Sequence, residues 1–233
     1  VLGSDSNETG GTIEVSNVMT TDGAGSGIVI SNLNGGDYQF DNLTSSGNGG
    51  SGMAVWNSTV SVGFDDGTDG SANLQGLVSE SNDGDGLSVI SSTLTLAHSD
   101  LGSVAGGDGN QGNGLDLSSS TAVVVSATAN SNVGSGIGTD ASDLDLTDVE
   151  ATGNGGYAIE CTNSPTFSSC TGGSFDNNTT GDFSQCDIDD DGSLDDGLVD
   201  DVGADADGRP VRAVFVRRFD HYPGYRPGAV ARR

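Results

Sequence analysis

The first 208 residues contain no lysine and no arginine, and lysine is missing from the whole chain. All seven basic residues are arginines between Arg209 and Arg233. Residues 1–208 carry 33 of the 34 acids, so that body stands at −33, the remainder at +6, and the sum is the chain's −27. A surface without cations repels polyanions, so nucleic acid and anionic lipid are poor partners. Long apolar runs are lacking too. No stretch of about 20 apolar residues exists to span a bilayer, and no signal peptide is recognisable. Apolar residues make up 33% of the chain, below the usual range of about 45–50%. Together with the net charge, that composition ordinarily means disorder.

A regular pattern overrides that expectation. Asn-x-Gly-x-Gly-apolar-x-apolar occurs at Asn48 to Val55, Asn82 to Val89, Asn110 to Leu117 and Asn132 to Thr139. A trimmed relative follows at Asn154 to Ile159, and a partial one precedes at Gly25 to Ile30. The last glycines, Gly27, Gly52, Gly86, Gly114, Gly136 and Gly156, are spaced 25, 34, 28, 22 and 20 residues apart. Repeats of that length hold short strands and turns. Within a unit, apolar residues alternate with polar ones: Leu115 and Leu117, then Val123 and Val125, then Ala127 and Ala129. This period of two marks half-buried strands. One coil cannot bury such residues alone, but coils stacked at about 4.8 Å share a core. The glycines are expected at sharp turns, where positive φ is cheap for them. The asparagines are expected at left-handed positions, bonding to the next coil.

From about Thr12 to Asn178 this pattern resembles the right-handed parallel β-helix of the pectate-lyase-like superfamily. The resemblance implies an all-β, single-stranded solenoid over residues 1–180. The superfamily includes lyases, hydrolases, epimerases, tailspikes, adhesins and non-catalytic surface proteins, so it does not fix an activity. Its lyases use an Arg or Lys base, which the solenoid lacks. Its hydrolases use clustered aspartates. The nearest candidates here are Asp65 and Asp66, which open the longest repeat, with His98 one coil later. The plainer reading makes them an acidic turn and an outward strand-end residue. Trp56, if exposed, could stack on a sugar; Tyr38 and Tyr157 read as partly buried coil residues.

Residues 181–203 form an acidic segment. Asp187, Asp189 and Asp191, then Gly192, Ser193 and Asp195, reproduce the front half of a calcium loop. That spacing wraps hard oxygens around one point, with the Ser193 carbonyl at position seven. Leu198 stands where an EF-hand has its bidentate Glu. The segment therefore resembles the short Asp-rich loops of thrombospondin type 3 repeats, which implies calcium bound with a Kd of about 10⁻⁴–10⁻³ M. Residues 204–233 break from everything before, and read as a disordered or non-native tail, or as a basic arm folding back on the acidic body.

The three cysteines, Cys161, Cys170 and Cys186, cluster where the solenoid needs sealing. A disulfide suits an exported protein, and an odd count leaves one thiol over. Cys161–Cys170 is the first expectation and Cys170–Cys186 the second. The chain opens mid-pattern, as expected of a fragment or a mature form. The expectation for function is an extracellular or cell-surface β-helix without catalytic activity. It would be structural, adhesive or glycan-binding, with calcium as cofactor. A polysaccharide hydrolase or lyase on the same scaffold is the alternative, and a salt-adapted structural protein is a third.

Overall fold

The computed structural model describes residues 12–63, 75–103 and 108–186, together with the backbone of strands Leu2–Gly3, Asp200–Ala204 and Pro210–Ala213. The described strands between residues 2 and 184 form three parallel sheets, each built from strands of successive coils. The first sheet has eight strands. Leu2–Gly3 is followed by Ile28–Ser31, Met53–Trp56, Leu87–Ile90, Leu115–Ser118, Ile137–Asp140, Tyr157–Thr162 and Gly181–Ser184. The second has seven, from Thr12–Ser16 to Thr166–Thr171. The third holds Met19–Thr21, Leu43–Ser46, Leu77–Glu80 and Asp100–Leu101. Single bridges at Thr128, Glu150 and Ser174 continue it. The chain is a parallel β-helix. Beyond residue 194 the chain forms a separate unit, in which Asp200–Ala204 pairs antiparallel with Pro210–Ala213.

Period-two alternation becomes columns through the core. Met53, Leu87, Leu115, Ile137 and Ile159 lie in register, and so do Val55, Val89, Leu117, Thr139 and Cys161. All of them are buried. Each fully buried Leu or Ile contributes about 1.5–3 kcal/mol of transfer free energy, available only once a neighbouring coil covers it. Thr139 places a hydroxyl in this column, and its Oγ1 has no hydrogen-bond partner.

The strand Thr121–Val125 corrects one expected phase. Ala122 and Val124 face the core, while Val123 is 37% exposed. The run Ala-Val-Val-Val admits either phase, and its neighbours decide. Ala122 and Val124 register with Leu94 and Leu96 below and Leu144 and Leu146 above. A slip of one residue would turn every side chain over.

The last repeat interval is also corrected. Ile137 pairs with Ile159, and Gly134 N–H chemistry matches that of Gly156, so the coil is 22 residues long. Ala158 therefore stands where the other coils place their last glycine, and Gly156 aligns with Gly134.

The repeat glycines serve close approach rather than positive φ. Positive φ falls on other glycines, such as Gly47 and Gly153. A Cβ on Gly52 would lie 1.9 Å from Ser79 Oγ and 2.8 Å from the Gly86 carbonyl oxygen.

Both expected disulfides are replaced by a third pairing. Cys161 bonds Cys186, 25 residues away, and Cys170 is a free, buried thiol. Cys161 stands in the Val55–Val89–Leu117 column, whereas Cys170 registers with Leu146 in the second sheet. Cys186 follows the final strand of the first sheet, so it reaches Cys161 from the next coil. Burial pushes the Cys170 thiol up to about 11.

Candidate functional site

Three corners join the sheets, and two of them carry continuous polar rows. At the corner before the first sheet, Asn48, Asn82, Asn110, Asn132 and Asn154 are stacked and buried. Each amide Nδ2 donates to the Oδ1 of the asparagine one coil on, from Asn48→Asn82 at 2.9 Å to Asn154→Asn178 at 2.9 Å. The same Oδ1 atoms accept the backbone N–H of the preceding asparagine. The second amide proton reaches back a coil, as in Asn110 Nδ2 to the Ser79 carbonyl at 3.0 Å. Ladder asparagines are not left-handed. That conformation falls on the residues before them, Gly47, Ser81, Ser131 and Gly153, while other asparagines such as Asn32 and Asn57 adopt it elsewhere.

The corner between the first and second sheets is built from hydroxyls. Ser92 Oγ donates to the Ile90 carbonyl at 2.7 Å and accepts the Ser58 N–H at 3.1 Å. Ser58, Ser120 and Ser142 repeat this. Outside this inner row lies a shallow groove of about 300 Å³, lined by Asn34, Thr59, Ser91, Thr93, Ser119 and Thr121 beside the inner serines. Trp56 and Ile90 end the strands feeding this corner. They sit in register and stand 40% and 41% exposed.

Carboxylates occupy the outer surface, and many take donors from an adjacent coil. Thr162 and Asn163 donate to Asp140, Thr166 to Asp143, and Ser169 to Asp145. Thr128 donates to Asp100 and Asn130 to Glu150. In a chain without lysine these amide and hydroxyl bonds supply the neutralising dipoles that ion pairs would otherwise supply.

One acidic row went unnoticed in the sequence. On the first sheet Asp116, Gly138 and Glu160 are in register. Asp85 accepts the Asn113 N–H at 2.8 Å, and Asn113 Nδ2 donates to Asp116 at 3.0 Å. Ser135 donates to Glu160 at 2.8 Å. Burial raises the Asp116 carboxyl above the usual range, and the charges of Asp85, Asp140 and Glu160 push the same way. Burial also raises Asp85, opposed by the Asn113 backbone bond. The signal was the acid at the variable place of Asn82-Asp83-Gly84-Asp85-Gly86, read together with aligned strands. Among the described residues, no group of three or more His, Cys, Asp or Glu is placed to hold a metal ion.

Of the expected site residues, His98 is exposed, at φ 48°, just after the strand Thr93–Ala97. Asp65 and Asp66 lie outside the described residues, as do Asp187, Asp189, Asp191, Ser193 and Asp195. Tyr38 is buried, Tyr157 half-buried, and Trp56 exposed.

No protein-family model matches the chain, and no curated protein matches it. Among solved structures it is similar to the A-module of the mannuronan C-5 epimerase AlgE4 from Azotobacter vinelandii, at a TM-score of 0.47 and 11% identity. The match covers 74% of this chain and 55% of that one, so the chain spans about half of that module. The likeness is one of parallel β-helix fold and assigns no residue a role.

Proposed function

We propose that this chain is a non-catalytic, exported or cell-surface β-helix, a stiff rod with a structural or adhesive role, whose acidic segment at residues 187–195 binds calcium. The observation that carries the reading is the use made of polar groups. The amide ladder is unbroken from Asn48 to Asn178, and Asp100, Asp140, Asp143, Asp145 and Glu150 accept from donors of the adjacent coil. Acids bound in this way stitch coils together. The Cys161–Cys186 disulfide supports an oxidising, extracellular setting. The Asp187-x-Asp189-x-Asp191-Gly192 spacing supports calcium.

The test is thermal unfolding in millimolar calcium, in EDTA and in potassium chloride of matched ionic strength, with a parallel assay for cleavage of acidic and neutral polysaccharides. A native state that holds calcium with the weak affinity of extracellular modules gains about 1–2 kcal/mol at millimolar ion. The expected result is a calcium-specific rise in Tm that Asp189→Ala plus Asp191→Ala abolishes, with no polysaccharide cleaved. An equal rise in potassium chloride would overturn calcium binding and make acidity a matter of solvation. Cleavage that Asp65→Asn plus Asp66→Asn removes would overturn the non-catalytic reading.

A further inference from the structure

We propose that the groove at the corner between the first and second sheets binds a neutral polysaccharide, with Trp56 and Ile90 as the stacking surface at its side. The inference rests on the adhesive reading above and names the partner.

The groove's lining is neutral across four coils in an otherwise acidic protein. Its lining groups are hydroxyls and one amide: Thr59, Ser91, Thr93, Ser119, Thr121 and Asn34. Carboxylates return at its two ends: Asp140 and Asp143 in the next coil register with Ser118 and Thr121, and Asp37, in the coil of Asn34, lies two residues before Gln39, which registers with Ser61. A net charge of −27 rejects anionic chains, and a lining without carboxylates offers nothing to a cationic one. An uncharged, polyhydroxylated ligand fits both facts.

The outer hydroxyls are also uncommitted. The inner row, Ser58, Ser92, Ser120 and Ser142, is bonded on both sides and belongs to the fold. Among the described residues, no hydrogen bond engages the side chains of Thr59, Ser91, Thr93, Ser119 or Thr121. They recur once per coil, at about 4.8 Å, close to the length of one pyranose unit. Ser91 and Ser119 are held at φ 50°, which fixes the direction of their Cα–Cβ bonds. Threonine hydroxyls restricted at χ1 lose little freedom on binding.

The apolar element is the remaining part. Trp56 and Ile90 are paired across adjacent coils and both exposed, unlike the other large apolar residues described in that sheet. The C–H face of a pyranose packs on such a surface while its hydroxyls turn to the polar shelf. A few polar groups beside an aromatic platform are the usual makings of a small-molecule site.

Trp56 is the chain's single tryptophan, so its emission reports on this corner alone. The experiment titrates the full chain with cellohexaose, xylohexaose and mannohexaose, and with an oligogalacturonate as the anionic control, followed by tryptophan fluorescence and calorimetry. The expected result is saturable binding of at least one neutral hexaose, weakened tenfold or more by Thr93→Asp plus Thr121→Asp at unchanged Tm, with no response to the anionic control. Binding unaffected by that double substitution, equal binding of the anionic control, or no heat and no emission change with all three neutral hexaoses at millimolar concentration would overturn it. Any of these leaves the rod reading standing. Cleavage of a bound hexaose would sink the rod reading and leave the groove.

Discussion

Two corners of the same coils solve one problem with different side chains. Where strands end, backbone groups must find partners. At the asparagine corner each amide reaches three coils. Asn110, for example, accepts from Asn82, donates onward to Asn132 and donates back to the Ser79 carbonyl. At the serine corner one hydroxyl proton turns inward to its own coil, so Ser92 joins only two. An amide has two N–H groups and an acceptor; a hydroxyl has a single proton. The first corner is accordingly closed and buried. The second leaves outer hydroxyls free, and there the groove forms.

The largest expected effect follows from that difference. Asn110→Ala removes two donated bonds and leaves the buried Asn82 N–H without its acceptor. Each orphaned buried group costs about 1–3 kcal/mol, so the loss should reach about 3 kcal/mol or more in urea or thermal unfolding. Ser92→Ala removes one cross-coil bond, from Ser58 N–H, and should cost about 1–2 kcal/mol. Equal losses from the two substitutions would mean that the corners are equivalent and the ladder is ornamental.

The fold was readable because its signal is periodic. Asn48, Asn82 and Asn110 recur with their glycines, and Leu87, Val89, Leu94 and Leu96 face the core as alternation requires. What escaped was information that resides in register. Nothing local tells Ala122 and Val124 from Val123 and Val125; the leucines of adjacent coils do. Likewise Gly156 looked like a last glycine until Ile159 was seen to pair with Ile137. The disulfide was missed for the same reason. Cys161 and Cys170 are nearer in sequence, but they sit on different sheets, while Cys186 returns to Cys161 after one coil. Asp116 and Glu160 become neighbours only across Gly138. Trp56, by contrast, stood out as the single tryptophan, and it is exposed.

A smaller effect sharpens the serine corner. Asn57, Ser91, Ser119 and Asn163 hold its left-handed position in their coils, but Ala141 holds it at φ 45°. An alanine there carries most of the roughly 1–2 kcal/mol left-handed penalty for L-residues, and asparagine tolerates the conformation better. Ala141→Asn should raise stability by about 0.5 kcal/mol, or a Tm gain of about 1–2 °C. The same substitution at Ala97, an ordinary strand end, should only destabilise, since that residue is buried.

The smallest effect distinguishes the corners by pH. Asp85 and Asp116 lie on the asparagine side, bonded to Asn113, and burial raises both carboxyls. A folded carboxyl pKa above the unfolded value means that the native state takes up its proton first. Stability therefore falls as pH rises through the folded pKa, and is regained on acidification toward the unfolded value near 3.8. Acidification from neutral pH toward about 3.8 should raise Tm as these carboxyls take up their protons, and the general self-repulsion of a −27 chain acts in the same direction. Asp116→Asn separates the two. Its amide oxygen can still accept from Asn113, while the charge facing Asp85, Asp140 and Glu160 is gone. At neutral pH this variant should be the more stable form, with a shallower rise on acidification. At the neutral serine corner, Thr93→Val should leave the slope of Tm against pH unchanged. If Asp116→Asn kept the full slope, the pH response would belong to the net charge of the whole surface and not to the row at that corner.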